Sequence, residues 1–407
     1  MSRDPQSERI YLDHAATTPP AGEVLADVME VMRSGWGNPS SIHRTGQLAH
    51  RRVEESREAV ASLIGGGPTR VTFTSGGTEA ANMAIWSMLA SAPSTRRVIV
   101  TSGVEHAAVR APIEKLTGTD WEIVHLEHDT AGRVIPESLR ELIAIRGDEI
   151  AMLSVMWANN ETGVIQPIEA LAAMCADHGI AVHTDATQWV GKMPTNVNSI
   201  PIDYLTFAGH KIHGPQGVGV LWSRAGRTVE PAVIGGGQER GRRGGTENVP
   251  AIVGMGTACM LSADWISDGG PGRMTGRQAE FEQALIAAAP SACINGASAQ
   301  RVWSITNVGF PNVESELLLL ALSERGVDVS AGSACSSGAL KASSVLEAMG
   351  PQPGQKAGVA YGSVRFSWCR NTTSALLLRA CEITADVVER LMELQPSDGR
   401  AASSANP

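Results

Sequence analysis

The feature that most constrains the fold is an order repeated between residues 71 and 222: a short apolar run, a loop of small and polar residues, then a helical stretch. Such runs predict buried strands, and their alternation with helices predicts a mostly parallel sheet with helices on both faces. The carboxyl ends of parallel strands meet at one edge, where α/β proteins bind ligands. The sequence therefore predicts an α/β fold with a site at that edge.

Two strands of this region end in residues that suit pyridoxal phosphate, PLP. The run at 179–183 leads to Asp185, and the run at 204–207 leads to Lys211. A lysine amine forms a Schiff base with the PLP aldehyde, and a buried carboxylate keeps the pyridine nitrogen protonated so that the ring accepts electrons. Taken singly, Asp185 could be a helix cap and Lys211 a surface charge.

A third element lies upstream, where the run at 71–74 enters a turn with Gly77 and Thr78 before a predicted helix at 80–90. Backbone N–H groups at a helix N-terminus bind phosphate, and glycine allows its close approach. The alternative is a plain cap formed by Ser75 or Thr78. The spacing matches neither a dinucleotide fold nor a P-loop. Together with the carboxylate and the lysine, the turn predicts a PLP site.

A series of motifs runs in order from Tyr11 to Ser367: YLDHAATTP, GNPSSIHRTG, FTSGGTEAAN, VEHAAV, SVMWANNETG, HTDATQ, GHKIHGPQGVG, GGGQERGRRGGTEN, SAGSACSSG and SVRFS. These motifs resemble those of the NifS/IscS-type cysteine desulfurases of the class V aminotransferase group, and two are closer to the NifS branch. The resemblance implies PLP fold type I, in which a large domain with a mostly parallel seven-stranded sheet is joined to a smaller α+β domain.

Domain bounds follow from this resemblance and from changes in composition. The large PLP-binding domain is predicted at 16–262, and residues 1–15 and 263–394 are predicted to form the small domain that carries the cysteine loop. Within the small domain a Gly- and Asp-rich stretch precedes a helix predicted at 277–289. The polar tail at 395–407 is predicted to be disordered.

The resemblance also implies a role for each matching residue. Lys211 binds the cofactor and later removes the substrate α-proton, His106 stacks on the ring and moves protons, and Cys335 is the nucleophile that accepts sulfur. Arg365 grips the substrate carboxylate, with Asn38 as a further substrate contact. The residues predicted to bind the cofactor are Gly77, Thr78, His106, Asn160, Asp185, Gln188, His210, Lys211 and Thr246.

Several of these residues have plainer alternatives. His106 could cap a helix, Arg365 could form a surface ion pair, and Asn38 could contact neighbouring backbone. Thr246 follows a loop of glycine and arginine that could be a charged surface; the resemblance places it on the PLP phosphate of the neighbouring subunit in a homodimer. One position departs from the family, where a serine that reaches the phosphate often precedes Gly-His-Lys, and here Ala208 stands instead.

The composition argues against several other classes of protein. The net charge is -9 without a long run of one sign, which argues against a nucleic-acid surface or an anionic-membrane anchor. The first residues lack the apolar core of a signal peptide, so a cytoplasmic protein is expected. Six cysteines are scattered without a CxxC pair, so no zinc or iron–sulfur ligand set is predicted. Cys335 lies among glycine and serine, which predicts a mobile loop.

The predicted function is therefore a PLP-dependent cysteine desulfurase that converts L-cysteine to L-alanine and holds the sulfur as a persulfide on Cys335. That sulfur is expected to supply iron–sulfur cluster assembly through a scaffold or another acceptor protein, with nitrogenase maturation as one destination. Two alternatives stay open: a selenocysteine lyase or another class V enzyme that does not use Cys335, and a non-catalytic scaffold that binds a sulfur-transfer partner.

Overall fold

The computed structural model of the protein describes residues 9–331, 343–352, 355 and 361–394. The tail at 395–407 and the loop around Cys335 lie outside these residues, so both of those predictions stay predictions.

In the described part of the chain the strands are β1 Ile10–Tyr11, β2 Val71–Thr74, β3 Val98–Ser102, β4 Glu122–Leu126, β5 Ile150–Ser154, β6 Ala181–Asp185, β7 Tyr204–Ala208, β8 Gly219–Ser223, β9 Cys293–Asn295, β10 Ile305–Pro311, β11 Val327–Asp328 and β12 Tyr361–Ser367. The helices are α1 Gly22–Ser34, α2 Arg44–Ile64, α3 Gly77–Ser91, α4 Ala107–Glu114, α5 Pro136–Arg146, α6 Ile168–Ala176, α7 Val249–Ser267, α8 Gly270–Ala288, α9 Ser315–Glu324, α10 Ser344–Met349 and α11 Ser374–Glu393.

Seven strands form the central sheet, in the order β2-β8-β7-β6-β5-β3-β4. Neighbouring strands from β7 to β4 are parallel, whereas β8 runs antiparallel to both β2 and β7. Along β3, Ile99 packs in the cluster that includes α3, and Val100 packs in the opposite cluster with α2 and α6. The prediction of a mostly parallel sheet with helices on both faces is confirmed.

A second hydrophobic core surrounds the antiparallel sheet β12-β10-β9. The Phe281 ring on α8 lies 5.3 Å from the ring of Phe366 and 5.2 Å from that of Trp368. Ile10 and Leu12 from the start of the described chain belong to the same core, because β1 pairs with β11. The exact domain bounds stay a prediction.

The start of α8 and the strand β4 differ from the sequence expectations. The helix predicted to begin at 277 begins at Gly270, because Gly269, with φ 75°, turns the chain directly out of α7. A Cβ on Gly270 would lie 2.2 Å from the Trp265 ring, so only glycine allows α8 to start against the end of α7. Strand β4 was not predicted; it lies at the sheet edge, and its exposed polar residues hide the apolar pattern.

One helix in the described ranges, Val249–Ser267, is long and apolar enough to cross a membrane by length and composition. This is weak evidence, since core helices of soluble proteins meet the same criterion. Here the apolar window is 56% buried inside the protein, and the helix packs against α1 and α2.

Candidate active site

Asp185 and Lys211 lie at the same edge of the central sheet. Asp185 is the last residue of β6 and is buried, and its Oδ1 accepts a hydrogen bond from Thr187 N at 3.0 Å. β7 runs parallel to β6, and Lys211 ends the short 3-10 turn that follows it. The Lys211 Nζ donates to the carbonyl oxygens of Ala15 and Ala16, each at 2.6 Å. The structure thus brings together the carboxylate and the amine predicted from the sequence.

The predicted phosphate turn faces these two strand ends. Helix α3 begins at Gly77, and its N-cap, Gly76, makes no side-chain capping bond, so a cap by Ser75 or Thr78 is wrong. A Cβ on Gly77 would lie 3.5 Å from both Ala208 Cβ and Thr187 Oγ1. The start of α3 therefore lies beside the loops after β6 and β7, and the positive end of the helix dipole favours an anion there.

His106 is the N-cap of α4, where its Nδ1 accepts a hydrogen bond from Ala108 N at 3.1 Å. The capping alternative is thus correct, but it leaves the other ring nitrogen and an exposed part of the ring for the site. Partial burial lowers the pKa of His106, while the nearby charge of Asp185 raises it and that of Lys211 lowers it. The ring is therefore neutral, and because Nδ1 accepts, its proton is assigned to Nε2.

Asn160 and Gln188 follow β5 and β6 at the same edge. The loop of Asn160 is shaped by Asn159, whose Oδ1 accepts from Glu161 N and Thr162 N, both at 2.9 Å. Oδ1 of Asn160 is buried without a hydrogen-bond partner among the described residues. The side chain of Gln188 is buried. The NH2 groups of two amides at the strand ends, as donors, can address a neutral or anionic oxygen of a ligand.

His210 precedes Lys211, and its Nδ1 lies 3.2 Å from Thr17 Oγ1. Burial is the main cause that lowers the pKa of His210 to about 4, and the adjacent Lys211 lowers it further. The imidazole is therefore neutral near pH 7 and can donate one hydrogen bond without adding charge.

Arg365 on β12 is buried rather than part of a surface ion pair. Its NH2 donates to Asp13 Oδ1 and its NH1 to the Asn160 carbonyl, both at 2.8 Å, and its Nε has no partner among the described residues. The small domain thus delivers a guanidinium to the same edge. A substrate carboxylate would have to share this guanidinium with Asp13.

Two of the predicted site residues, Asn38 and Thr246, do not lie with the other site residues in the single subunit. Asn38 is exposed, and its Oδ1 accepts from Ser40 N at 2.9 Å in its own turn, which fits the structural alternative. Thr246 lines a separate cavity beside Ser75 and Arg243. Arg243 Nε donates to Glu79 Oε1 at 3.0 Å, so the loop of Thr246 is tied to the phosphate turn. The roles of Asn38 and Thr246 stay predictions.

The segment that carries Cys335 is outside the described residues, but its flanks are described. Before it, Ser330 pairs with Arg365 through Arg365 N to Ser330 O at 2.6 Å and Ser330 N to Arg365 O at 3.3 Å. After it, Ser343 donates to the Glu161 carboxylate, next to Asn160. Both flanks are thus anchored beside predicted site residues.

The residues fit PLP. An uncapped helix start with Gly77 suits the phosphate, the buried Asp185 suits the pyridine nitrogen, and Lys211 suits the aldehyde. The Asn160 amide, whose Oδ1 has no partner among the described residues, and the exposed His106 are further features that a bound ring would use. The sequence analysis missed Lys192, whose buried amine bonds to Gln188; its only signal was that lysine occurs at just five positions in a chain with 33 basic residues.

Comparisons with known proteins agree with this geometry. The Aminotransferase class-V family matches residues 10–377. The cysteine desulfurase of Nostoc sp. is 42% identical over 388 residues, covering 95% of this chain and 94% of that protein. Among solved structures, a NifS-like protein has a TM-score of 0.85 at 31% identity, with 94% of this chain and 100% of the other covered. "SspA in complex with cysteine" has a TM-score of 0.75 at 30% identity, with coverage of 88% and 98%.

These matches confirm the predicted family, the PLP fold and the cofactor, since the class V enzymes and their cysteine desulfurase members depend on PLP. The chain belongs to the class-V aminotransferase family, among its cysteine desulfurases.

Proposed function

We propose that this enzyme takes sulfur from L-cysteine, releases L-alanine and carries the sulfur as a persulfide on Cys335. The observation that supports it most is the convergence of Lys211, Asp185 and His106 at the carboxyl ends of three parallel strands of the central sheet, β7, β6 and β3. An amine, a buried carboxylate and a neutral imidazole at one strand edge are the groups that α-proton removal on an amino acid requires.

Each residue has a defined task in this reaction. When bound, PLP supplies an electron sink for the pair released at the substrate α-carbon. Lys211 removes the α-proton and later returns a proton to the product carbon, and Asp185 holds the proton of the ring nitrogen. Arg365 orients the substrate carboxylate with its planar fork. His106 offers its Nε2–H to the cleft as a donor, because Nδ1 is occupied by Ala108 N.

Sulfur transfer balances without an external oxidant. The Cys335 thiolate attacks the substrate sulfur, an S–S bond forms, and the carbon–sulfur bond breaks with its electron pair left on the substrate carbon, which takes up a proton and leaves as alanine. A free thiol has a pKa of about 8.5, so a nearby N–H donor that favours the thiolate accelerates this step. The anchoring of Ser330 to Arg365 and of Ser343 to Glu161 supports access of the intervening segment to the substrate.

The experiment measures alanine and sulfide from L-cysteine with a thiol reductant, together with the visible spectrum. Cys335→Ala should keep the yellow colour of bound PLP and lose nearly all sulfide production. Cys369→Ala is the matched control, since Cys369 is the half-buried cysteine in the described part and should retain activity. Equal sulfide release by wild type and Cys335→Ala would refute the persulfide mechanism and favour a lyase acting directly on substrate.

We also propose a homodimer in which Thr246 serves the partner's cofactor. Within its own subunit the Thr246 hydroxyl makes no hydrogen bond to described residues, although its loop is tied to the phosphate turn through Glu79. Leu25, Met29 and Met32 form an exposed apolar stripe at helical spacing on α1, which a second copy would cover.

Mixed dimers test this sharing. One subunit carries Lys211→Ala and the other Thr246→Val, so that under the proposal one site receives both defects and the other neither. Such dimers should recover about half of the wild-type activity by this site count. If Thr246 serves its own subunit, one site lacks Lys211 and the other carries Thr246→Val, so the activity will be at most about half that of the Thr246→Val homodimer.

The persulfide sulfur is proposed to serve iron–sulfur cluster assembly. A persulfide is the form in which sulfur can pass to a thiol of an acceptor protein by exchange. Cluster formation on an apo scaffold protein should require L-cysteine, iron and this enzyme, and should fail with Cys335→Ala. Cluster formation at the wild-type rate with that variant would argue against delivery from Cys335.

A further inference from the structure

Lys192 is a buried lysine next to the active-site lysine. It follows the turn after β6, where Gly191 has φ 74° and packs so closely that a Cβ would lie 2.6 Å from Ile212 Cγ2. The Trp303 indole donates to the Lys192 carbonyl at 2.9 Å from the second core. Glycine and tryptophan together hold the Lys192 backbone between the two cores, so the position of its amine is set by packing.

The Lys192 amine forms a hydrogen bond to the oxygen of the Gln188 side-chain amide. Its Nζ donates to Gln188 Oε1 at 2.5 Å, and Gln188 Nε2 donates to the Ala15 carbonyl at 3.0 Å. Ala15 O also accepts from Lys211 Nζ at 2.6 Å. A protonated amine only donates and a carbonyl oxygen only accepts, so with Lys192 protonated both partners favour one orientation of the amide and disfavour its flip. The second N–H of Nε2 then stays available to a ligand.

No carboxylate among the described residues compensates the charge of Lys192. No ion pair to Lys192 is present in the described part of the chain. Burial is the main cause that lowers its pKa to about 7, and the charges of Lys211 and Arg365 lower it further while Cys369 raises it. The other titratable groups that line the cavity beside it are His14, His213 and Arg370. The bond to Gln188 persists on either side of this pKa, because an amine retains N–H groups when neutral.

We propose that Lys192 is a positioning residue that holds the Gln188 amide with its N–H side, rather than its oxygen, turned to the phenolic oxygen of the cofactor. The inference rests on the proposed site, in which Gln188 addresses that oxygen. An N–H donor stabilises the deprotonated phenolic oxygen, whereas an amide oxygen in its place would repel it. Lys192 thereby favours the deprotonated phenolic oxygen of the cofactor without contacting the cofactor itself.

The test is a pH titration of the PLP-loaded protein followed by its visible absorption. This absorption reports whether the phenolic oxygen of the cofactor shares a proton. Lys192→Met should raise the midpoint by on the order of one pH unit. Lys192→Arg, which keeps a donor-only group beside the cavity, should restore most of the wild-type midpoint. Lys115→Met is the matched control, since Lys115 lies at the end of α4 away from this hydrogen-bond chain. Should Lys192→Met fail to fold, Lys192→Leu, which also removes the donor, replaces it with the same expected direction.

A double-mutant cycle distinguishes the positioning of the Gln188 amide from a direct effect of the Lys192 charge on the cofactor. In a Gln188→Leu background, Lys192→Met should shift the midpoint little, because the amide that it orients is absent. A full, additive shift in that background would overturn the inference, as would a midpoint in Lys192→Met equal to that of Lys115→Met. A wild type without any visible band would refute the proposed function itself, which distinguishes the two failures.

Discussion

Replacing Ala208 by serine should strengthen the binding of PLP. Ala208 is the last residue of β7 and is 2% exposed, and its Cβ lies 3.5 Å from the position of a Cβ on Gly77 at the start of α3. A hydroxyl at this point is close to the helix N-terminus that would hold the phosphate. Serine therefore adds one donor to an anion site that now depends on backbone N–H groups and on neighbouring side chains.

The expected gain follows from the charge of the phosphate. A hydrogen bond to a charged group contributes about 1.5–3 kcal/mol, and ordering and desolvating the hydroxyl offsets part of this. A net gain of about 1–2 kcal/mol corresponds to a Kd lower by about 5- to 30-fold. The apo-protein should gain nothing, because a buried hydroxyl without a partner costs about 1–3 kcal/mol.

Calorimetric titration of the apo-protein with PLP and with pyridoxal, which lacks the phosphate, would measure this gain. Ala208→Ser should tighten PLP alone, and Ala208→Cys, similar in size but a weak donor, should not. An unchanged Kd for PLP, or an equal gain for pyridoxal, would refute the placement of the phosphate beside Ala208.

Two further predictions concern stability. Glu239 and Arg57 form a buried two-point ion pair at 2.8 and 2.9 Å, so Glu239→Gln should cost about 3–5 kcal/mol in denaturant unfolding. Glu54→Gln, on the more exposed side of the same arginine, should cost less than about 1 kcal/mol; equal losses would contradict the argument. The free energy of unfolding should also fall between about pH 6.5 and pH 4, because burial lowers the pKa values of His183, His210 and His213 to about 4 and the unfolded chain takes up those protons first. His183→Gln should make this fall smaller, and an unchanged profile would count against His183 as one of its causes.

Much of the site was predictable because its residues follow strands at fixed places in the motifs. Asp185, Asn160 and Lys211 could be assigned to one sheet edge once the strand–loop–helix order was recognised, since parallel strands end together. The start of α8 was not predictable from composition. Its glycines signal a turn, whereas the close contact between Gly270 and Trp265 that lets the helix begin depends on how α7 and α8 meet.

The sequence by itself determined which chemical groups are present and their order along the chain, because strand periodicity and helix starts are local properties. Only the tertiary structure decided how those groups are paired. Arg365 meets Asp13 from 352 positions away, and Lys192 meets the amide that also contacts Ala15. Such contacts depend on the packing of the two cores against each other, and no local pattern records which donor will face which acceptor.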